Sequence, residues 1–270
     1  MVLRPLRNLT PAPQAIELYD EWLDEIETAL ARGDDRWELC RRTLTGLFYP
    51  TLAEADPRSL PLAARVALAQ MDARNVTLEP EYYAEIDLER FNERKPLLWM
   101  WQLFDKSPLG GDIYLGTHFR RILAPYILRR VGRNFKAFQY VEFSFGYNLE
   151  VGDDVVVHRN VLLDDRGGIV LGDRVSISDY ANVYSHTHSI VDQLDVTSAP
   201  TVIEDDVRIT YHATVLAGTR VGHDAMVGAL AVATRDVRPW HVNVGIPAKP
   251  VRVKPNAPPE AFRTTTIAPK

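Results

Sequence analysis

From Val151 to Ala233, apolar residues recur at every sixth position, and that period excludes most folds. Val151, Val157 and Leu163 share a frame with Leu171, Ile177 and Val183, and then with Ile203, Ile209, Val215, Val221, Val227 and Ala233. The frame needs a short gap after Leu163 and a long one after Val183. A second track of small residues lies two positions earlier, at Val155, Val161, Val175, Ala181, Val207, Ala213, Ala225 and Ala231. Glycine follows the key residue at Gly152, Gly172, Gly222 and Gly228. An isolated helix repeats its apolar face at three and four, and a hairpin sheet alternates at two, so neither accounts for a period of six. A solenoid does: each hexad forms one short strand and one corner, and each coil pairs with the coils on either side. The large residue fills the interior, the small one lets the chain turn close to its neighbour, and glycine serves corners that need positive φ or close approach.

The preceding half has a helical period. Tyr19, Trp22, Leu23, Ile26 and Leu30 fall at three-and-four spacing before Gly33, and Trp37, Cys40, Leu44, Leu47 and Phe48 do so before Pro50. Further helical pieces are expected over residues 62–73, 80–91 and 119–130, the last kinked or interrupted at Pro125. That last piece, FRRILAPYILRR, is basic and amphipathic; it reads as a helix with one solvated basic face, with peripheral contact to an acidic membrane surface as the lesser alternative. The run PLLWMWQLF is too short to span a bilayer and reads as buried core. The expected organisation is a helical domain over residues 1–134, a β-helix over 135–255 and a flexible C-terminal tail over 256–270.

Composition narrows the function. A net charge of −5 gives no basic face for nucleic acid. A single cysteine, Cys40, forms no internal disulfide, and the N-terminus lacks the apolar stretch of a signal peptide, so a reducing, cytoplasmic setting is expected.

The segment GDRVSISDYANVYSHTHSI, the long loop after it, and the ending VGALAVATRDVRPWHVNVGIPAKPVRV together resemble the hexapeptide-repeat acyltransferases, most of all the branch of galactoside and maltose O-acetyltransferases and related polysaccharide and xenobiotic acetyltransferases. The resemblance spans residues 131–254 and implies a left-handed parallel β-helix, so the fold class is α+β: a helical domain, then that β-helix with a long loop inserted. It also implies acetyl-CoA as co-substrate and a homotrimer with each site between two subunits, the loop 189–200 reaching across.

On this resemblance the catalytic histidine is His188, and its rival is His186, two residues earlier on the same strand face. A neutral imidazole suits the task, since a hydroxyl is a poor nucleophile until its proton leaves. The coenzyme A positions of the family fall on Ala229, Thr234, Arg235, Lys249 and Arg252, while Tyr211, where a small residue is usual, and Arg208, where an aromatic is frequent, depart from its pattern. Acceptor-binding candidates are His158, Asn160 and Asp165; the position of a sugar-holding aspartate is taken by Arg166. No metal is expected: carbonic anhydrases of the γ class bind zinc on this fold through three histidines, at a spacing that His158, His186, His188, His212 and His223 do not reproduce. The function implied is acetyl transfer to a hydroxyl of a sugar, polysaccharide or small molecule. The alternatives are N-acyl transfer to an amine and a non-catalytic β-helix used as an assembly module.

Overall fold

The computed structural model describes residues 9–192 and 194–263: a helical region followed by a parallel β-solenoid of about six turns. In the helical region α1 (Pro13–Arg32) buries Leu23, Ile26, Ala29 and Leu30 and ends at Gly33, whose left-handed backbone (φ 77°) returns its N–H to Leu30. Asp35 caps α2 (Arg36–Phe48) by accepting from the amide of Trp37 at 2.9 Å. After α3 (Leu62–Ala69), the expected helix over 80–91 is absent. Pro80 starts a short 3-10 turn, Glu79–Tyr82; the chain then runs irregularly until Asp87 caps the single turn α4 (Leu88–Asn92). The apolar run becomes α5 (Lys95–Lys106), with Leu97, Leu98, Met100, Trp101 and Phe104 buried. The last helix, α6 (Ile113–Ile127), is capped by Asp112 and continues through Pro125. Its basic residues are not a uniformly solvated face: Arg120 is 1% exposed. Among the described residues no helix is long and apolar enough to cross a membrane.

The solenoid has three faces, and the sixth-residue frame supplies one interior ladder to each. Val131, Val151, Leu171, Ile203 and Val221 stack in register on the first face. Ala137, Val157, Ile177, Ile209 and Val227 stack on the second, and Phe143, Leu163, Val183, Val215 and Ala233 on the third. From Val151 onward every one of these side chains is buried. The first strand, Arg130–Val131, begins ahead of residue 135, because Val131, Ala137 and Phe143 extend the frame back by one coil. At the far end the strand Lys249–Val253 pairs antiparallel with His241–Val244, and the one-turn helix α7 (Pro259–Arg263) follows within the expected tail; residues 264–270 lie outside the described chain.

The corners differ from the sequence expectation. Positive φ is carried mostly by non-glycine residues, Asp154, Asn160, Asp206 and His212 among them, each just before a small buried residue of the second track. The periodic glycines instead permit close approach. A Cβ on Gly152 would lie 2.4 Å from Oδ1 of Asp173 and 2.7 Å from the backbone of Gly172. That same Oδ1 accepts from the amide of Asp153 at 2.7 Å, a contact repeated one coil on between Asp173 and Asp205. Gly152→Ala is therefore expected to destabilise the protein by about 1–3 kcal/mol, as overpacking does, measured by denaturant unfolding.

The helical region covers the open end of the first coil, whose backbone has no coil beneath it. The guanidinium of Arg120 donates to the carbonyl of Ala137 at 3.2 Å, Arg121 to Phe135 at 3.0 Å and the indole of Trp101 to Val141 at 2.9 Å. Three side chains thus satisfy carbonyls that would otherwise be buried without partners. Arg120 is itself neutralised by the buried Asp105, whose Oδ2 accepts from the amide of Tyr140 at 2.8 Å.

Candidate active site

The two gaps in the period meet at one edge of the solenoid. The short gap after Leu163 is a 3-10 turn, Asp165–Gly167, and the long one after Val183 is a hairpin of His186–His188 against Val196–Ser198. Leu163 and Val183 are in register, so the insertions stack where the third face turns into the first. The turn and the hairpin base are joined by the amide of Gly167 donating to Oγ of Ser185 at 2.8 Å, and by the amide of Ala199 donating to the carbonyl of Ser185 at 2.8 Å.

This edge organises the histidine pair. Nδ1 of His186 bonds Oδ2 of Asp164, a buried carboxylate whose Oδ1 accepts from Oγ of Ser144 at 2.8 Å. Nε2 of His186 stands 3.0 Å from Nη1 of Arg166. A guanidinium only donates, so Nε2 is the acceptor and the ring proton sits on Nδ1, donated to Asp164. Both nitrogens of His186 are thereby engaged. His188 differs: its side chain is exposed, its rings meet those of His186 edge-on with centroids 5.2 Å apart, and its nitrogens hold no hydrogen bond within the described residues. The partners Asp164 and Arg166 come from the short gap, and a third comes from the helical region, since Nε of Arg166 donates to Oε1 of Glu85 at 2.6 Å. The Arg166 guanidinium also lies over the ring of Tyr83, 3.8 Å from its centroid. A cavity of about 240 Å³ opens beside Tyr83 and reaches Ser144.

The other expected site residues are spread over this and other edges. Asp165 points inward: it is fully buried and accepts from the amides of Phe145 at 2.7 Å and Asn148 at 3.1 Å, while burial pushes its carboxyl up to about 6 against those donors. It braces the loop before the strand Leu149–Val151. His158, stacked on Phe138 at 5.0 Å, and Asn160, a corner residue with φ 56°, occupy the edge between the second and third faces, away from the histidine pair in the same chain. Ala229 lies on that edge too, exposed, with the half-exposed Tyr211 in register one coil away. Thr234 and Arg235 are exposed on the edge that carries His186 and His188. Lys249 and Arg252 are exposed on the closing antiparallel strand. Arg208 projects from the second face between Ser176 and Met226. Cys40 is buried in α2, and burial pushes its thiol up to about 12, so it is no nucleophile. Among the described residues, no three His, Cys, Asp or Glu side chains converge as metal ligands.

Comparison with known proteins agrees with this architecture, although no family model matches the chain. It is 26% identical over 137 residues to the galactoside O-acetyltransferase of Escherichia coli K12, covering 49% of this chain and 68% of that protein. Of two putative acetyltransferases, from Schizosaccharomyces pombe and Staphylococcus aureus, it spans 55% and 65% of the length. The crystal structure of a maltose O-acetyltransferase from Clostridium difficile 630 superposes with a TM-score of 0.56 at 26% identity, covering 64% of this chain and 91% of that one. A hexapeptide-repeat acetyltransferase from Vibrio cholerae, solved with acetyl coenzyme A, shares the fold with a TM-score of 0.55 at 24% identity, covering 67% and 98%. By its repeat, its solenoid and these relatives, the chain is a hexapeptide-repeat β-helix acetyltransferase, a homologue of the galactoside and maltose O-acetyltransferases.

Proposed function

We propose that the protein transfers an acetyl group from acetyl-CoA to a hydroxyl of a saccharide or small-molecule acceptor, with His188 as the general base. The observation that carries this reading is the contrast within the histidine pair: His186 has both nitrogens occupied, while His188 is exposed with its nitrogens available. His188 takes the acceptor proton as the hydroxyl oxygen attacks the thioester carbonyl, and a backbone amide near the loop stabilises the oxyanion. The tetrahedral intermediate then expels the coenzyme A thiolate, which recovers the proton from His188. Coenzyme A lies along the groove between two subunits of a homotrimer, with Ala229 and Thr234 beside its pantetheine arm and Arg235, Lys249 and Arg252 near its phosphates. All five side chains are exposed, which suits a ligand bound at the surface. Tyr211, next to Ala229, narrows that groove.

The acceptor enters at the edge formed by the two insertions, walled by Tyr83 from the helical region. The test is release of free coenzyme A from acetyl-CoA across a panel of saccharides, hydroxylated small molecules and amines. Acetylation of a hydroxyl is expected. Transfer to amines alone would replace this reading with N-acylation, and failure to bind acetyl-CoA by calorimetry would leave a non-catalytic module.

A further inference from the structure

Glu85, which brings a carboxylate from the helical region into the site beside Tyr83, lies in the irregular stretch that replaces the expected helix. Its carboxylate takes both Nε and Nη2 of Arg166, whose side chain is 4% exposed, and leaves Nη1 directed at Nε2 of His186. Two donors converging on one carboxylate oxygen, Oε1, fix the orientation of a guanidinium as well as pairing its charge. We propose that Glu85 is a positioning residue for acetyl transfer: it holds the Arg166 guanidinium against Nε2 of His186, and so keeps that ring in one tautomer beside His188. The inference rests on the function proposed above, in which His188 is the base.

The groups facing His186 make the consequence definite. Asp164 takes its Nδ1 proton, Arg166 donates to Nε2, Tyr184 and His188 meet its ring edge-on, and Glu85 and Tyr83 hold Arg166 from the other side. While Arg166 donates to Nε2, that nitrogen has no lone pair left for a proton. Once Arg166 is released, Nε2 has no partner and the ring keeps only its Asp164 anchor. Glu85 thus holds the histidine pair in one geometry, and a small misplacement costs turnover up to about a hundred-fold.

The experiment compares the wild-type trimer with Glu85→Gln, an isosteric change at a partly exposed side chain. In histidine-labelled protein, with His186→Gln used for assignment, the ¹⁵N resonances of His186 are expected to show a single Nδ1–H pattern. In Glu85→Gln the same ring is expected to lose that single pattern, its Nε2 no longer held by Arg166. With acetyl-CoA and the acceptor found by the panel, kcat is expected to fall roughly ten-fold or more, with the KM for acetyl-CoA unchanged. If His186 behaves alike in the two proteins, or Glu85→Gln changes stability alone, the positioning role is wrong. The spectroscopic result stands whether or not acetyl transfer is found, so a failed positioning role is distinguishable from a failed enzymatic one.

Discussion

Replacing His188 by alanine is expected to lower kcat by about 10²- to 10⁴-fold, the range contributed by a positioned general base. Stability is expected to change little, because the side chain is exposed on a hairpin outside the solenoid wall and, among the described residues, its only ring contact is with His186. The two histidines are thereby separable. His186→Ala empties a partly buried position, leaving Asp164 without its ring partner and Nη1 of Arg166 without its acceptor, so it is expected to lower stability and activity together. Steady-state kinetics beside thermal unfolding distinguishes the pair. Full activity in His188→Ala with the true acceptor would transfer the role of base to another group.

The second large effect belongs to the joint between the helical region and the first coil. Asp105→Ala is expected to cost about 3–5 kcal/mol, since it leaves the guanidinium of Arg120 buried without its counter-charge. The aspartate and the arginine are 3% and 1% exposed, so water cannot compensate. The same substitution also removes the acceptor for the amide of Tyr140, at the corner of the first coil. Urea unfolding followed by tryptophan fluorescence reads this directly, because Trp101 spans the joint. A double replacement, Asp105→Leu with Arg120→Met, is expected to recover only part of the loss: the uncompensated charge is gone, but the carbonyls of Ala137 and Gly110 and the amide of Tyr140 lose their partners.

The solenoid was legible from sequence because its chemistry is local: one interior residue in six, each stacking on its counterpart in the next coil. The fate of the glycines was less legible. Whether a corner glycine supplies positive φ or only close approach depends on the neighbouring coil, and here Asp154 and Asn160 adopt the left-handed conformation while Gly152 makes room for Asp173. In the helical half, periodicity identified α1 and α2 and placed helix at α3 and α6, while α5 was legible only as buried core; Pro80 and Asp87 lie in separate turns and divide the segment between them. The histidine pair was visible from its place after Val183. Its partners were not, because Glu85 and Arg166 are 81 positions apart and join only through the packing of the helical region on the solenoid. One trace of them was present: the two extra residues after Leu163, which break the frame where Asp164 and Arg166 turn toward His186.

The reversed strand at the C-terminal end has a consequence for how copies of this molecule meet. A parallel solenoid terminates in rows of backbone donors and acceptors, each a template onto which another chain can add. Here the strand Lys249–Val253 runs against the last coil, and the helical region occupies the first. On the second face, among the described residues, neither end presents an uncovered parallel row to a second molecule, which disfavours end-to-end polymerisation there. The flanks that carry the insertions and the exposed aromatic corners are the surfaces along which the proposed homotrimer would form.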